Sequence, residues 1–238
     1  MNKTFEVFEN HINTSANGYQ EGEDAMSVCG PLTKGKEPLD IYILAHKYAP
    51  EGNIIEVGSW LGLSTVTLAL ALKERYGFPK YKLYAIDPHD EQHSRTSDGS
   101  DSWFDGAPPD FDWHEVFLSN IKKWDVEDYV EVCREYSHDI DLSNIDNVTM
   151  VWLDGDHRSE PVYQDLNKFV KKVDKEGLVV MHDHDLGDVQ EALKKFKKEN
   201  PHVLGSMHLA NTTVENYSKE WNPAPNRLLG IYKKQIDF

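Results

Sequence analysis

The feature that most constrains the fold is the passage from Ile54 to Ser64. An apolar run, Ile54-Ile55-Glu56-Val57, leads without a spacer into two glycines, Gly58 and Gly62, and then into a helical pattern over residues 64–76 with Val66, Leu68, Ala69, Leu70 and Leu72 on its apolar side. A strand, a tight turn and a helix in direct succession form the opening unit of an α/β sheet, and the glycines allow a sharp turn and close approach to a ligand. The first N–H groups of that helix lack partners within it and point back at the turn.

The alternation continues along the chain. Short apolar runs at 83–86, 129–133, 150–153 and 178–181 read as strands, and 39–48, 161–173 and 189–198 as helices. Residues 203–209 and 228–232 form a last strand pair. Apolar runs of this length separated by helices predict a mostly parallel sheet covered on both faces. Right-handed crossovers make it a doubly wound, seven-stranded α/β sheet with an antiparallel final strand. One domain over 36–238 with an extension at 1–35 suits a chain of 238 residues that is 39% hydrophobic. Residues 90–113 break the alternation. They are rich in Asp, Ser, Gly, Pro and His yet carry Trp103, Phe104, Phe111 and Trp113, which reads as a lid-like insertion beyond the second strand.

Composition excludes several classes. No apolar run is long enough to span a membrane. The polar, acidic start lacks the features of a secretory leader, and Cys29 and Cys133 have no metal or disulfide spacing, so a cytoplasmic protein is expected. A formal net charge of −16 argues against general nucleic-acid binding.

The turn itself reads Glu56-Val57-Gly58-Ser59-Trp60-Leu61-Gly62-Leu63-Ser64. Its E-x-G-x-x-x-G spacing is neither the GxGxxG of a dinucleotide site nor a GxxxxGK[ST] loop. An acid two residues before the first glycine suits a ligand with a cationic end and repels a pyrophosphate. Asp87 closes the second strand, where a carboxylate can accept hydrogen bonds from both hydroxyls of a ribose.

On Glu56, the Gly58/Gly62 turn and Asp87, the chain resembles the class I S-adenosylmethionine (SAM) dependent methyltransferases over roughly residues 36–235. The resemblance implies a Rossmann-like fold, with Glu56 at the amino-acid end of SAM, Asp87 at the ribose, and Gly58, Ser59, Gly62 and Ser64 lining the turn. It places Ser137 near the adenine, although the usual Gly-Asp pair is missing there.

A second constellation lies at two further strand ends, Asp154-Gly155-Asp156-His157 and His182-Asp183-His184-Asp185. Neighbouring strands bring them together. Carboxylates and imidazoles there can hold a divalent cation, or His157 can act as a general base without one. The pattern looks like a subgroup containing catechol-type and macrolide-sugar O-methyltransferases. That likeness implies Asp154, His182 and Asp183 as ligands of Mg²⁺ or Mn²⁺, Asp154 also beside SAM, and His157 with Asp154 in catalysis. His182 and His184 depart from the acid and Asn found in that subgroup. Asp165 and Asp185 read as helix caps. His89 and His93 could enter the site, whereas His114, His138 and His208 read as isolated.

The expected activity is methyl transfer from SAM to a small polar acceptor, most simply a hydroxyl oxygen, by a protein that can form homo-oligomers. A nucleotide-dependent oxidoreductase and a catalytically silent SAM-fold binding protein are the alternatives.

Overall fold

The structure, a computed structural model, describes residues 5–7, 37–90, 112–184, 186–201, 204–206 and 229–233. Most of the 1–35 extension and of the 90–113 insertion, together with His93, Asp185 and His208, lies outside the described residues.

The seven strands are β1 (Asn53–Val57), β2 (Leu83–Ile86), β3 (Val130–Cys133), β4 (Val148–Leu153), β5 (Val173–Met181), β6 (Leu204–Ser206) and β7 (Leu229–Lys233). They lie in the order β3-β2-β1-β4-β5-β7-β6. The first five are parallel, and β7 runs antiparallel to both β5 and β6. The sheet is therefore the mostly parallel, doubly wound one expected. Its strand order reverses between β1 and β4, which opens a crevice at their carboxyl ends.

Strand residues alternate between two cores. Ile54, Leu83, Ala85, Met150, Trp152, Leu178 and Val180 face one side, and Ile55, Val57, Ile86, Val151, Leu153, Val179 and Met181 the other. A period of two along each strand, with both faces covered, accounts for the continuous apolar runs. The first face is covered by α1 (Glu37–Ile43), α2 (Leu63–Tyr76) and α3 (Trp113–Lys123); the second by α4 (Ser159–Lys172) and α5 (Gly187–Glu199). Helix α2 is buried over most of its length, from Leu63 and from Thr65 to Leu72. It ends at Gly77, whose left-handed φ of 71° lets its N–H bond the Lys73 carbonyl. Helix α1 runs into a π-helical turn at Leu44–Tyr48. Arg75 Nη1 reaches across from α2 to donate to Ala49 O at 2.7 Å, just past that turn.

Two features depart from the sequence expectation. Helix α3 was not anticipated. It starts where the insertion was expected to end, with the Asp112 side chain accepting from Glu115 N. Near the N-terminus, Phe5 is fully buried and stacks on Tyr42 of α1 with ring centroids 4.0 Å apart. No helix among the described residues is long and apolar enough to cross a membrane.

Candidate active site

Register places the candidate residues in one row. Val57 of β1 pairs with Ile86 and Leu153, Ile86 with Cys133, and Leu153 with Met181. The ladder continues one residue further. Gly58 N donates to Ile86 O at 2.9 Å, Asp87 N to Cys133 O at 3.1 Å, Asp154 N to Val57 O at 2.8 Å and His182 N to Leu153 O at 3.0 Å. Parallel pairing alone thus brings Gly58, Asp87, Asp154 and His182 to the carboxyl edge beside the strand-order reversal.

The turn after β1 is held from below. Gly58 has φ 84°, and a Cβ there would lie 2.0 Å from the Asp154 carbonyl oxygen. Its need for glycine is thus contact with β4's end, where the sequence suggested contact with a ligand. Gly62, at φ 95°, is the N-cap of α2. Asp87 Oδ2 accepts from Ser59 N at 2.9 Å and Trp60 N at 2.8 Å, and Oδ1 from His89 N at 2.7 Å. The carboxylate expected to meet a ribose therefore also ties the turn to β2. A carboxylate offers about four acceptor positions, so some capacity remains for a ligand hydroxyl.

Glu56 is fully buried on the α2 side of the sheet. Thr65 Oγ1 donates to its Oε2 at 2.5 Å, while Oε1 is buried with no hydrogen-bond partner among the described residues. Burial pushes its carboxyl up to about 8 against the opposing effect of Ser64 and Thr65, and the charges of Asp154 and Asp87 add to the rise. The carboxyl thus lies buried beneath the turn, with the N-terminus of α2 beside it.

Asp154, His157, His182 and Asp183 form the second part. Each offers a ligand atom, and these lie within 4.8 Å of one another. His182 Nδ1 is 2.9 Å from Asp154 Oδ1 and 3.2 Å from Asp183 Oδ2. His157 Nε2 is 3.5 Å and 3.4 Å from the same two oxygens. Ligand atoms about 2.1 Å from a common ion stand about 3.0–3.4 Å apart, so the set has the spacing of a first-row cation's ligands. Asp183 holds a left-handed φ of 47°, the kind of backbone strain that concentrates at functional sites. Burial opposes ionisation of Asp154 and Asp183, but the imidazoles outweigh it. Asp154 is drawn down to about 2, and Asp183 is also lowered. Burial likewise disfavours a charged His157, yet Asp154 and Asp183 raise its pKa above the ordinary value.

Ser137 is half-buried beyond β3, and its side chain bonds Asp165. Asp165 is not the helix cap expected. It lies in the middle of α4, buried, and burial raises its carboxyl to about 6. Sequence reasoning also undervalued α3. Asn120 Nδ2 donates to Leu61 O at 2.8 Å, and His114 reaches His89.

A doubly wound sheet with this strand order, a buried acid under a glycine turn and a carboxylate closing β2 defines a class I SAM-dependent methyltransferase. Residues 55–184 match the family described as a methyltransferase domain, and the protein belongs to that family. Solved structures agree on the fold. The O-methyltransferase NovP is 12% identical, with a TM-score of 0.68 covering 98% of this chain and 100% of that one. The O-methyltransferase TomG of Streptomyces achromogenes, involved in tomaymycin synthesis and solved with SAM, is 14% identical, with a TM-score of 0.59 over 99% and 100%. An rRNA methylase from Streptococcus thermophilus is 13% identical, with a TM-score of 0.54 over 86% and 99%. No curated protein matches the sequence significantly.

Proposed function

We propose that the protein is an O-methyltransferase acting on a small polar acceptor, with a divalent cation held by Asp154, His182 and Asp183. The observation that carries the reading is the four-residue Asp/His cluster at the same sheet edge as the cofactor turn. Two O-methyltransferases among the structures of similar fold support it.

In this reading SAM supplies an electrophilic methyl group. Glu56 and the turn of Gly58, Ser59, Gly62 and Ser64 hold its amino-acid end, with Asp154 beside it; Asp87 holds the ribose and Ser137 borders the adenine. His182, the one imidazole among the cation ligands, favours Mn²⁺ or a similar first-row cation over Mg²⁺, which prefers an all-oxygen shell. A cation held by Asp154, His182 and Asp183 would orient an acceptor hydroxyl and lower its pKa. His157 is the general base. Its side chain is the most exposed of the cluster, at 37% against 24% for Asp154, 17% for His182 and 10% for Asp183, so it faces an incoming acceptor. Asp154 and Asp183 raise its basicity, an effect that a cation held by the same carboxylates would offset. In-line placement of acceptor and methyl supplies the rest of the rate.

The test is turnover with labelled SAM over a panel of hydroxylated small molecules. His157→Ala should lower kcat about 100-fold or more while SAM affinity holds. Exhaustive EDTA dialysis should abolish turnover, and added Mn²⁺ should restore it. Undiminished activity in EDTA removes the cation, and an unchanged His157→Ala rate removes the base. Methyl transfer to no hydroxyl favours a silent binding protein.

A further inference from the structure

His89 is 7% exposed and stands two residues beyond Asp87 at a left-handed φ of 48°. Its ring Nε2 lies 3.0 Å from the Trp60 carbonyl oxygen and 3.5 Å from Ser59 Oγ. A carbonyl only accepts, so Nε2 carries the hydrogen. The other nitrogen, Nδ1, faces His114 Nδ1 at 3.2 Å. In the neutral ring with hydrogen on Nε2, Nδ1 is an acceptor, so His114 must donate to it. Only one hydrogen fits between the two rings.

The chain of bonds runs from α3 to the middle of the cofactor turn. Trp60, its end point, also has a left-handed φ, of 42°. The same helix holds the turn at two further points, through Asn120 on the Leu61 carbonyl and Trp113 stacked on Trp60. Phe117 of α3 covers the His89 ring at 4.7 Å. A strained turn tied on one side by Asp87 and on the other by a histidine pair is over-determined, which is how an unfavourable backbone conformation is kept.

We propose that His89 is a positioning residue for the cofactor turn, relaying a hydrogen bond from His114 to the Trp60 carbonyl, and that the turn keeps its binding geometry only until both imidazoles are protonated. The inference rests on the assignment of residues 58–62 to the cofactor. A first added proton still leaves one hydrogen between the rings, with the direction of the bond reversed, but protonation of both imidazoles sets two N–H groups against each other and turns the link into a repulsion. The charged and titratable groups facing the ring are Asp87 on its own loop, His114 on α3 and Arg134 beyond β3; the Ser59–Trp60 turn brings no charge. Burial is the largest influence and disfavours the cation. His114 and Arg134 act the same way, and together they outweigh Asp87 and the Trp60 carbonyl. The pKa is lowered, so the relay is intact at neutral pH and fails only on the acid side of the ordinary histidine range.

The test is SAM affinity measured by calorimetry from pH 8 to pH 5 on the full chain. His89→Gln keeps a donor for Trp60 and an acceptor for His114 but has no proton to gain. Its affinity at pH 7.5 should stay within about threefold of wild type. The wild-type protein should then lose affinity relative to H89Q as pH falls, by up to about tenfold per unit. Other titrating groups act on both proteins and cancel in the ratio. His114→Phe removes the facing N–H and should flatten the acid loss toward the H89Q profile. His89→Phe should raise KM for SAM about tenfold or more and leave kcat at saturating SAM nearly unchanged. Parallel wild-type and H89Q profiles overturn the inference alone, as does an H89F protein of normal SAM affinity. Failure of the wild-type protein to bind SAM at any pH overturns it together with the cofactor assignment.

Discussion

Glu56 and Gly58 lie two residues apart and show what a single position can carry. Burial holds the Glu56 carboxyl up to about 8, so at pH 7 the ligand-free protein keeps its proton while the unfolded chain has lost it. Because the folded pKa is the higher one, this group's contribution to stability is full below the ordinary carboxylate range and is lost as pH rises from there to about 8. An ammonium group beside Glu56 stabilises the ionised form, so SAM binding at pH 7 should release about one proton. Calorimetry in buffers of different ionisation enthalpy reads that number directly, and a binding heat independent of buffer contradicts it. Gly58 is limited by backbone rather than by ligand. Gly58→Ala combines a φ of 84° with a Cβ 2.0 Å from a carbonyl oxygen, so it should cost more than about 2 kcal/mol and lower the thermal midpoint by several degrees. The motif was legible in the sequence as a glycine requirement; its cause was not, because the partner, Asp154, is contributed by a strand far along the chain.

The central strands β1, β2 and β4 and the second half of β5 were legible as elements because they bury both faces and so read as largely apolar runs. Helix α3 was not, although its buried residues, Trp113, Phe117, Asn120 and Ile121, follow helical spacing. A buried Asn interrupts the apolar stripe, and the polar stretch before Asp112 drew the reading toward a loop. The interrupting residue is the informative one, since Asn120 leaves the apolar pattern in order to bond the Leu61 carbonyl. Asn120→Leu strands that buried carbonyl and should cost about 1–3 kcal/mol in chemical denaturation, with weaker SAM binding. Ser119→Ala, on the exposed side of the same helix, should change stability by no more than about 0.5 kcal/mol. Equal effects of the two substitutions would mean that α3 does not brace the turn.

For the whole molecule, the sheet does the assembling. Residues as distant as Gly58, Asp87, Asp154 and His182 were each recognisable as following a strand, and parallel order put them on one edge. What topology could not disclose is how many donors meet there, because that depends on side-chain direction at Asp154, His157, His182 and Asp183. The remaining question at this scale is what kind of acceptor reaches that edge, since the fold is shared by O-methyltransferases and an rRNA methylase. Charge separates the two. With 41 Asp and Glu against 25 Lys and Arg, the chain carries a formal −16, a net charge that repels a phosphate backbone at long range. Structured ribosomal RNA should therefore show no binding near physiological salt and accept no label from SAM. Small hydroxylated acceptors, which pay no such electrostatic penalty, should be labelled at rates nearly independent of ionic strength. Label in RNA, with binding that weakens steeply as salt is raised, would place the acceptor among nucleic acids despite the charge.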